Sequence, residues 1–131
     1  MKSKRISDFV LRVFIALLIG WAGLQKMRGD EASVEVFTQL DMEPFGRHLV
    51  GILELGAALL ILFPPSIVAG ATLTWGLMAG AALAHLTKLG FSGPSGTLFF
   101  AALAALVTST LVLYQNRARS RVLKKMFHHR R

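Results

Sequence analysis

Glu54 stands in the middle of a long apolar run, GILELGAALLIL at positions 51–62. A charge at the centre of a bilayer costs at least about 2.5–3.5 kcal/mol, so such a residue faces a partner or a cavity. Its chemical reading is a proton donor or acceptor for a ligand held among helices. Its structural reading is a carboxylate that pairs with Arg12 and fixes helix register. His85 ends another apolar run, MAGAALAHL at positions 78–86. By depth it lies near the membrane interface, where an imidazole is either solvated or holds a ligand, depending on whether it reaches Glu54, Gln25 or Lys26. His48, His85 and Glu54 lack the close paired spacing of a metal site, and the tail histidines His128 and His129 stand beside many cations, so no metal is expected.

Helical spacing places Arg47, Gly51, Glu54 and Ala58 on one stripe, Arg12, Ala16 and Gly23 on a second, and Thr74, Met78, Ala81 and His85 on a third. Each polar candidate thus shares a face with small or adaptable residues that let another helix approach. The expectation is that the three faces meet. Trp21, Trp75 and Tyr114 do not line up as an aromatic cage; Tyr114 reads as an interface anchor. Gly76, Gly80 and Ala84, with Ala101 and Ala105, repeat a small-residue spacing that signals packing.

The elements carrying these residues are membrane helices. The chain has 131 residues, 53% hydrophobic and 17% charged, with a mean hydropathy of +0.54. This is more apolar and less charged than a soluble domain, and disorder is excluded. About 20 apolar residues cross the hydrocarbon core. Four stretches qualify, at about 6–25, 45–63, 66–87 and 97–114, in a domain covering residues 1–116. Pro64 and Pro65 break the helix between the second and third spans. Gly90 to Gly96, with Ser92 and Pro94, form a turn-rich loop before the fourth. The predicted fold is all-α: an integral membrane four-helix bundle with a short helix in the first outer loop. That helix falls in DEASVEVFTQL, positions 30–40, with Asp30 as N-cap. Val36, Phe37 and Leu40 share a face that rests on the membrane or bundle, or forms a lid over a site.

The net charge is +8, concentrated at the ends. Lys2, Lys4 and Arg5 precede the first span; Arg117, Arg119, Arg121, Lys124, Lys125, Arg130 and Arg131 follow the last. The positive-inside rule places both ends in the cytoplasm of a bacterial or archaeal-type cell, which an even number of spans also requires. A cleaved signal peptide is the rival reading of the N-terminus; it conflicts with Arg12, the long apolar run and the lack of a small-x-small site. The basic tail, residues 117–131, meets anionic lipid headgroups rather than nucleic acid. Val122, Leu123, Met126 and Phe127 help it lie flat as an amphipathic helix. Docking of a cytoplasmic partner is the alternative. With no cysteine, disulfide and dithiol chemistry and thiolate-bound clusters are excluded, so any redox work relies on a bound cofactor.

These pieces resemble the DoxX-like membrane proteins. The resemblance rests on RVFIALLIGWAGLQKM at positions 12–27, the Val36-Phe37 pair, GILELGAALLIL with its Gly-x-x-Glu around Glu54, and Gly80-Ala81-x-x-x-His85. It covers the chain to about Tyr114 and leaves the basic tail outside. It implies a four-helix bundle in the inner membrane. Members are linked to quinone-dependent sulfur oxidation or to membrane redox complexes, often as small subunits. Carried to this chain, it points to Lys26, Glu54 and His85. The expected function is a quinone-associated redox subunit: Glu54 exchanges the proton, His85 or Lys26 bonds a carbonyl, Arg12 tunes Glu54, and Gln25 adds to the binding wall. Such a subunit would work with a soluble or membrane redox partner. The alternative is a non-enzymatic membrane anchor or assembly subunit that recruits a soluble partner through its basic tail. A permeation path would need a homo-oligomer, since four spans leave little room for a pore.

Overall fold

A computed structural model describes residues 2–91 and 93–129. Ser92, Arg130 and Arg131, singled out above in the loop and tail, lie outside the described residues, as do the side chains of Lys2, Pro94, Arg119, Val122 and Leu123. The chain forms α1 (Lys2–Arg28), α2 (Glu31–Gln39), α3 (Phe45–Leu62), α4 (Ile67–Ala84), α5 (Pro94–Gln115) and α6 (Arg117–His128). There is no strand among the described residues. Four helical stretches are long and apolar enough to cross a membrane: Ser3–Arg28, Phe45–Leu62, Pro64–Leu89 and Gly96–Gln115. The protein is an all-α, multi-pass membrane bundle. Exposed Phe14, Leu17, Trp21, Ile52, Leu59, Trp75, Leu83, Phe100 and Val107 give it an apolar outer face, as a lipid solvent requires.

The four long helices form a ring in which each packs on its neighbours: α1 on α3, α3 on α4, α4 on α5, and α5 on α1. Small residues set the closest crossing. A β-carbon on Gly23 would stand 2.8 Å from the Gly51 carbonyl oxygen, and one on Gly51 would stand 3.1 Å from the Gly23 carbonyl oxygen, so the α1 and α3 backbones nearly touch. The core below is Ile15, Ala16 and Ile19 from α1, Ala57, Ala58 and Ile61 from α3, Met78 from α4, and Ala102 and Ala105 from α5.

Turn chemistry follows from residue type. Gly29 adopts φ +76° and ends α1 with the paired bonds Gly29 N–H to Lys26 O (3.3 Å) and Asp30 N–H to Gln25 O (3.1 Å), the two bonds of a Schellman cap. The same pair closes α2, from Asp41 N–H to Thr38 O (3.1 Å) and Met42 N–H to Phe37 O (2.9 Å). There Asp41, at φ 56°, occupies the place usually held by glycine. Asp30 is the N-cap of α2, but its side chain makes no capping hydrogen bond. Pro64 and Pro65 confine the α3–α4 connection to one 3-10 turn, Pro64–Ser66, and the Ser66 hydroxyl donates to the Leu60 carbonyl at 2.8 Å.

Helix α2 lies across one end of the bundle, touching α1, α3, α5 and the final turn after α4. Its Ser33 and Phe37 are buried. At the opposite end, Asp8 accepts from Arg12 Nε at 3.0 Å and from Asn116 Nδ2 at 2.7 Å, tying the start of α1 to the end of α5. Arg12 also donates to the Ile61 carbonyl at 3.3 Å.

Candidate functional site

Under α2 the four long helices separate around a cavity of about 410 Å³, within the range of small-molecule sites. Its lining is apolar except at one end, where Lys26 of α1, Glu54 of α3, His85 at the end of α4 and Ser33 of α2 contribute. Val36 and Phe37 of α2, with Leu40 just after it, close that end, so the face shared by these residues forms a lid.

The Gly23–Gly51 crossing decides which cation meets Glu54. The crossing sets Glu54 beside Gly23, where a β-carbon would stand 3.1 Å from Glu54 Cβ; Lys26 follows one turn later on α1, and its Nζ stands 3.1 Å from Glu54 Oε2. This is an ion-pair contact whose angle is not that of a hydrogen bond: among the described residues, Oε2 has no hydrogen-bond partner. Glu54 is 2% and Lys26 14% exposed. Arg12 falls level with Ile61, about 10 Å further along α3 at 1.5 Å per residue. The expected Arg12–Glu54 contact is therefore not formed; Arg12 pairs with Asp8 instead. Gln25, one residue before Lys26, is half-buried and lies outside the cavity lining.

His85 is 4% exposed. It begins a π-turn, His85–Leu89, closed by Gly90 N–H to His85 O at 2.9 Å, with Gly90 at φ +70°. Such widened turns recur at functional sites. His85 Nδ1 lies 2.8 Å from the Ala81 carbonyl. A carbonyl only accepts, so Nδ1 carries a proton, and in the neutral ring Nε2 is the acceptor. Nε2 is buried and, among the described residues, has no hydrogen-bond partner. The ring is steadied by Phe99 of α5 at 5.6 Å between centroids, which in turn packs on Phe91 at 4.7 Å.

The three helix faces meet as expected, with Lys26 in place of Arg12 on α1. Reading the stripes identified Arg47 only as a packing position. It is buried, binds Glu43 through Nε at 2.8 and 2.9 Å, and donates from Nη1 to the Lys26 carbonyl. Arg47 thereby holds the last turn of α1, and with it the Lys26 side chain, against α3. Glu43, four residues before Arg47, was the available signal, an i,i+4 acid–base pair. Asp8 and Arg12 repeat that spacing. Trp21, Trp75 and Tyr114 are exposed. Among the described residues no three His, Asp or Glu gather to hold a metal ion.

A lidded four-span bundle with a polar-ended intramembrane cavity defines the class of protein. The DoxX-like family matches residues 10–109, a stretch that includes Lys26, Glu54 and His85, and the chain belongs to that family. No match was found among curated proteins or solved structures.

Proposed function

We propose that this protein is a small subunit of a membrane redox assembly that holds a quinone headgroup in the cavity beneath α2. One observation carries the reading: the Lys26–Glu54 pair and His85, on three different helical segments, line one largely apolar cavity. The cavity volume and donor set fit the group. The Lys26 ammonium is a donor for a carbonyl oxygen, Glu54 holds or releases a proton, and His85 Nε2 is a buried atom lacking a partner that can bond a hydroxyl or carbonyl. A bound quinone would supply two-electron, two-proton chemistry; this chain has no cysteine dithiol to exchange electrons with it, and in this reading a redox partner protein does so. In this reading Glu54 and His85 are the residues that touch the reacting oxygens, Lys26 orients them, and Arg12 and Gln25 lie outside the site. The membrane is the cytoplasmic one, with both termini on the cytoplasmic side, because the basic residues cluster at the two ends. Purification from the native membrane in mild detergent, followed by mass spectrometry of bound small molecules, tests it. A stoichiometric quinone, lost in Glu54→Gln and His85→Ala, supports the reading; folded protein with no redox ligand contradicts it.

A second reading rests on α6. Arg117, Arg121, Lys124 and Lys125 are exposed on this helix, beside exposed Met126 and Phe127. Such a helix binds an anionic bilayer surface or recruits a soluble partner. Removal of residues 117–131 should then release the partner, whereas Glu54→Gln should retain it.

A further inference from the structure

The cavity does not end at its polar wall. Its lining runs along α4 through Ala84 and Gly80 to Gly76, and along α5 through Ala101 and Ala105. Gly76 and Gly80 are exposed, and a β-carbon on either meets nothing within 4 Å. At 100° per residue they lie on the side of α4 away from buried Thr74 and Met78. Residues that both line the cavity and stand on the outer side of a membrane helix mark a place where the cavity reaches lipid. Among the described residues no polar side chain lines the cavity beside Gly76 and Gly80, whereas the end under α2 is closed by buried Phe37 and Ser33. Small residues at helix crossings usually bring backbones together; here the spacing leaves a groove unfilled. From His85 to Gly76 the helix rises about 14 Å, so the polar end and the opening are well separated. An unpartnered, buried His85 Nε2 at the far end of the groove indicates what the groove leads to.

We infer that the cavity opens sideways into the bilayer between α4 and α5 and admits a membrane-dissolved amphiphile, its polar head reaching Lys26, Glu54 and His85 and its hydrocarbon tail lying over Gly76 and Gly80. This rests on the reading of the cavity as a ligand site and adds the ligand's class and route: a lipid-soluble molecule entering from the membrane, not a water-borne solute passing α2.

The test uses the full chain in phosphatidylcholine vesicles with a long-chain alkyl diazirine alcohol dissolved in the bilayer. Carbene adducts are mapped by mass spectrometry. Labelling of Met78 and Ala81 inside the cavity is normalised to lipid-facing Ile52 and Leu59 on α3. The wild type should label at both cavity residues, and Gly80→Leu should cut that labelling to about a tenth, because the added side chain occupies the open groove. Ala101→Leu closes the groove from α5 and should act alike. Gly56→Leu, at a glycine of α3 that also meets nothing within 4 Å but lies off the cavity, should change nothing. Thermal unfolding of each variant identifies any that fails to fold. Unlabelled Met78 and Ala81 in the wild type, labelling unchanged in both groove variants, or equal labelling by a charged water-borne diazirine would overturn the lateral opening. Quinone content is scored on the same preparations: wild type that labels as expected yet binds no quinone overturns the headgroup assignment alone.

Discussion

The Lys26–Glu54 pair shows how strongly one residue's surroundings depend on helix register. Glu54 is nearly inaccessible, and its cation comes from another helix. Breaking a buried ion pair leaves a charge without its counterpart, at about 3–5 kcal/mol, while replacing both members with apolar residues is often neutral. Lys26→Met alone should therefore lower the thermal midpoint sharply, and Lys26→Met with Glu54→Leu should recover most of the loss. Equal losses in the single and double variants would show that the pair is not coupled. The identity of Glu54 as a buried group was legible in its own helix, because a carboxylate among eleven apolar positions has few alternatives. Its partner was not. Arg12 and Lys26 both belong to α1, and the choice between them depends on where α1 crosses α3, which the contact of Gly23 with Gly51 settles. Arg47 was hidden for a similar reason: its acceptor, the Lys26 carbonyl, is a backbone atom distant in sequence.

At the scale of elements, apolar run length and proline placement were enough to locate the spans, since a helix rising about 1.5 Å per residue must reach across the hydrocarbon. The position of α2 was less accessible. Val36, Phe37 and Leu40 define an apolar face whether the helix rests on lipid or caps a cavity; only the contacts of α2 with α1, α3, α5 and the π-turn distinguish the two. The π-turn itself had no sequence signal beyond Gly90, whose positive φ ends it. Asp41 gives a direct check on the α2 end. A left-handed conformation is costly for a residue with a β-carbon, and Asp41 holds one at φ 56° within a cap that favours glycine. Asp41→Gly should stabilise the protein by about 0.5–1 kcal/mol, seen as a higher unfolding midpoint in detergent. A lower midpoint would mean that the carboxylate contributes more than its backbone conformation costs.

Across the whole molecule, the two ends of the bundle differ in kind. One end is tied together by Asp8, Arg12 and Asn116 and continues into basic α6. The other is closed by α2 over the cavity where Lys26, Glu54 and His85 meet. Between them lies the Ile15–Ile61–Ala105 core, so the cavity has a packed floor and an apolar wall, with polar groups confined to the lidded end. This asymmetry fits a rigid scaffold that holds one site, with α2 and the α4–α5 groove as its boundaries. The most direct measurement is a titration of the protein in lipid nanodiscs with a short-tailed quinone, comparing wild type, Glu54→Gln and His85→Ala by equilibrium binding. A quinone site beneath α2 should give saturable binding at one quinone per chain, weakened about tenfold or more in each variant, as the loss of a hydrogen bond to a buried group implies, with the fold intact. Binding of equal strength in all three proteins, or no saturable binding to the folded wild type, would contradict it.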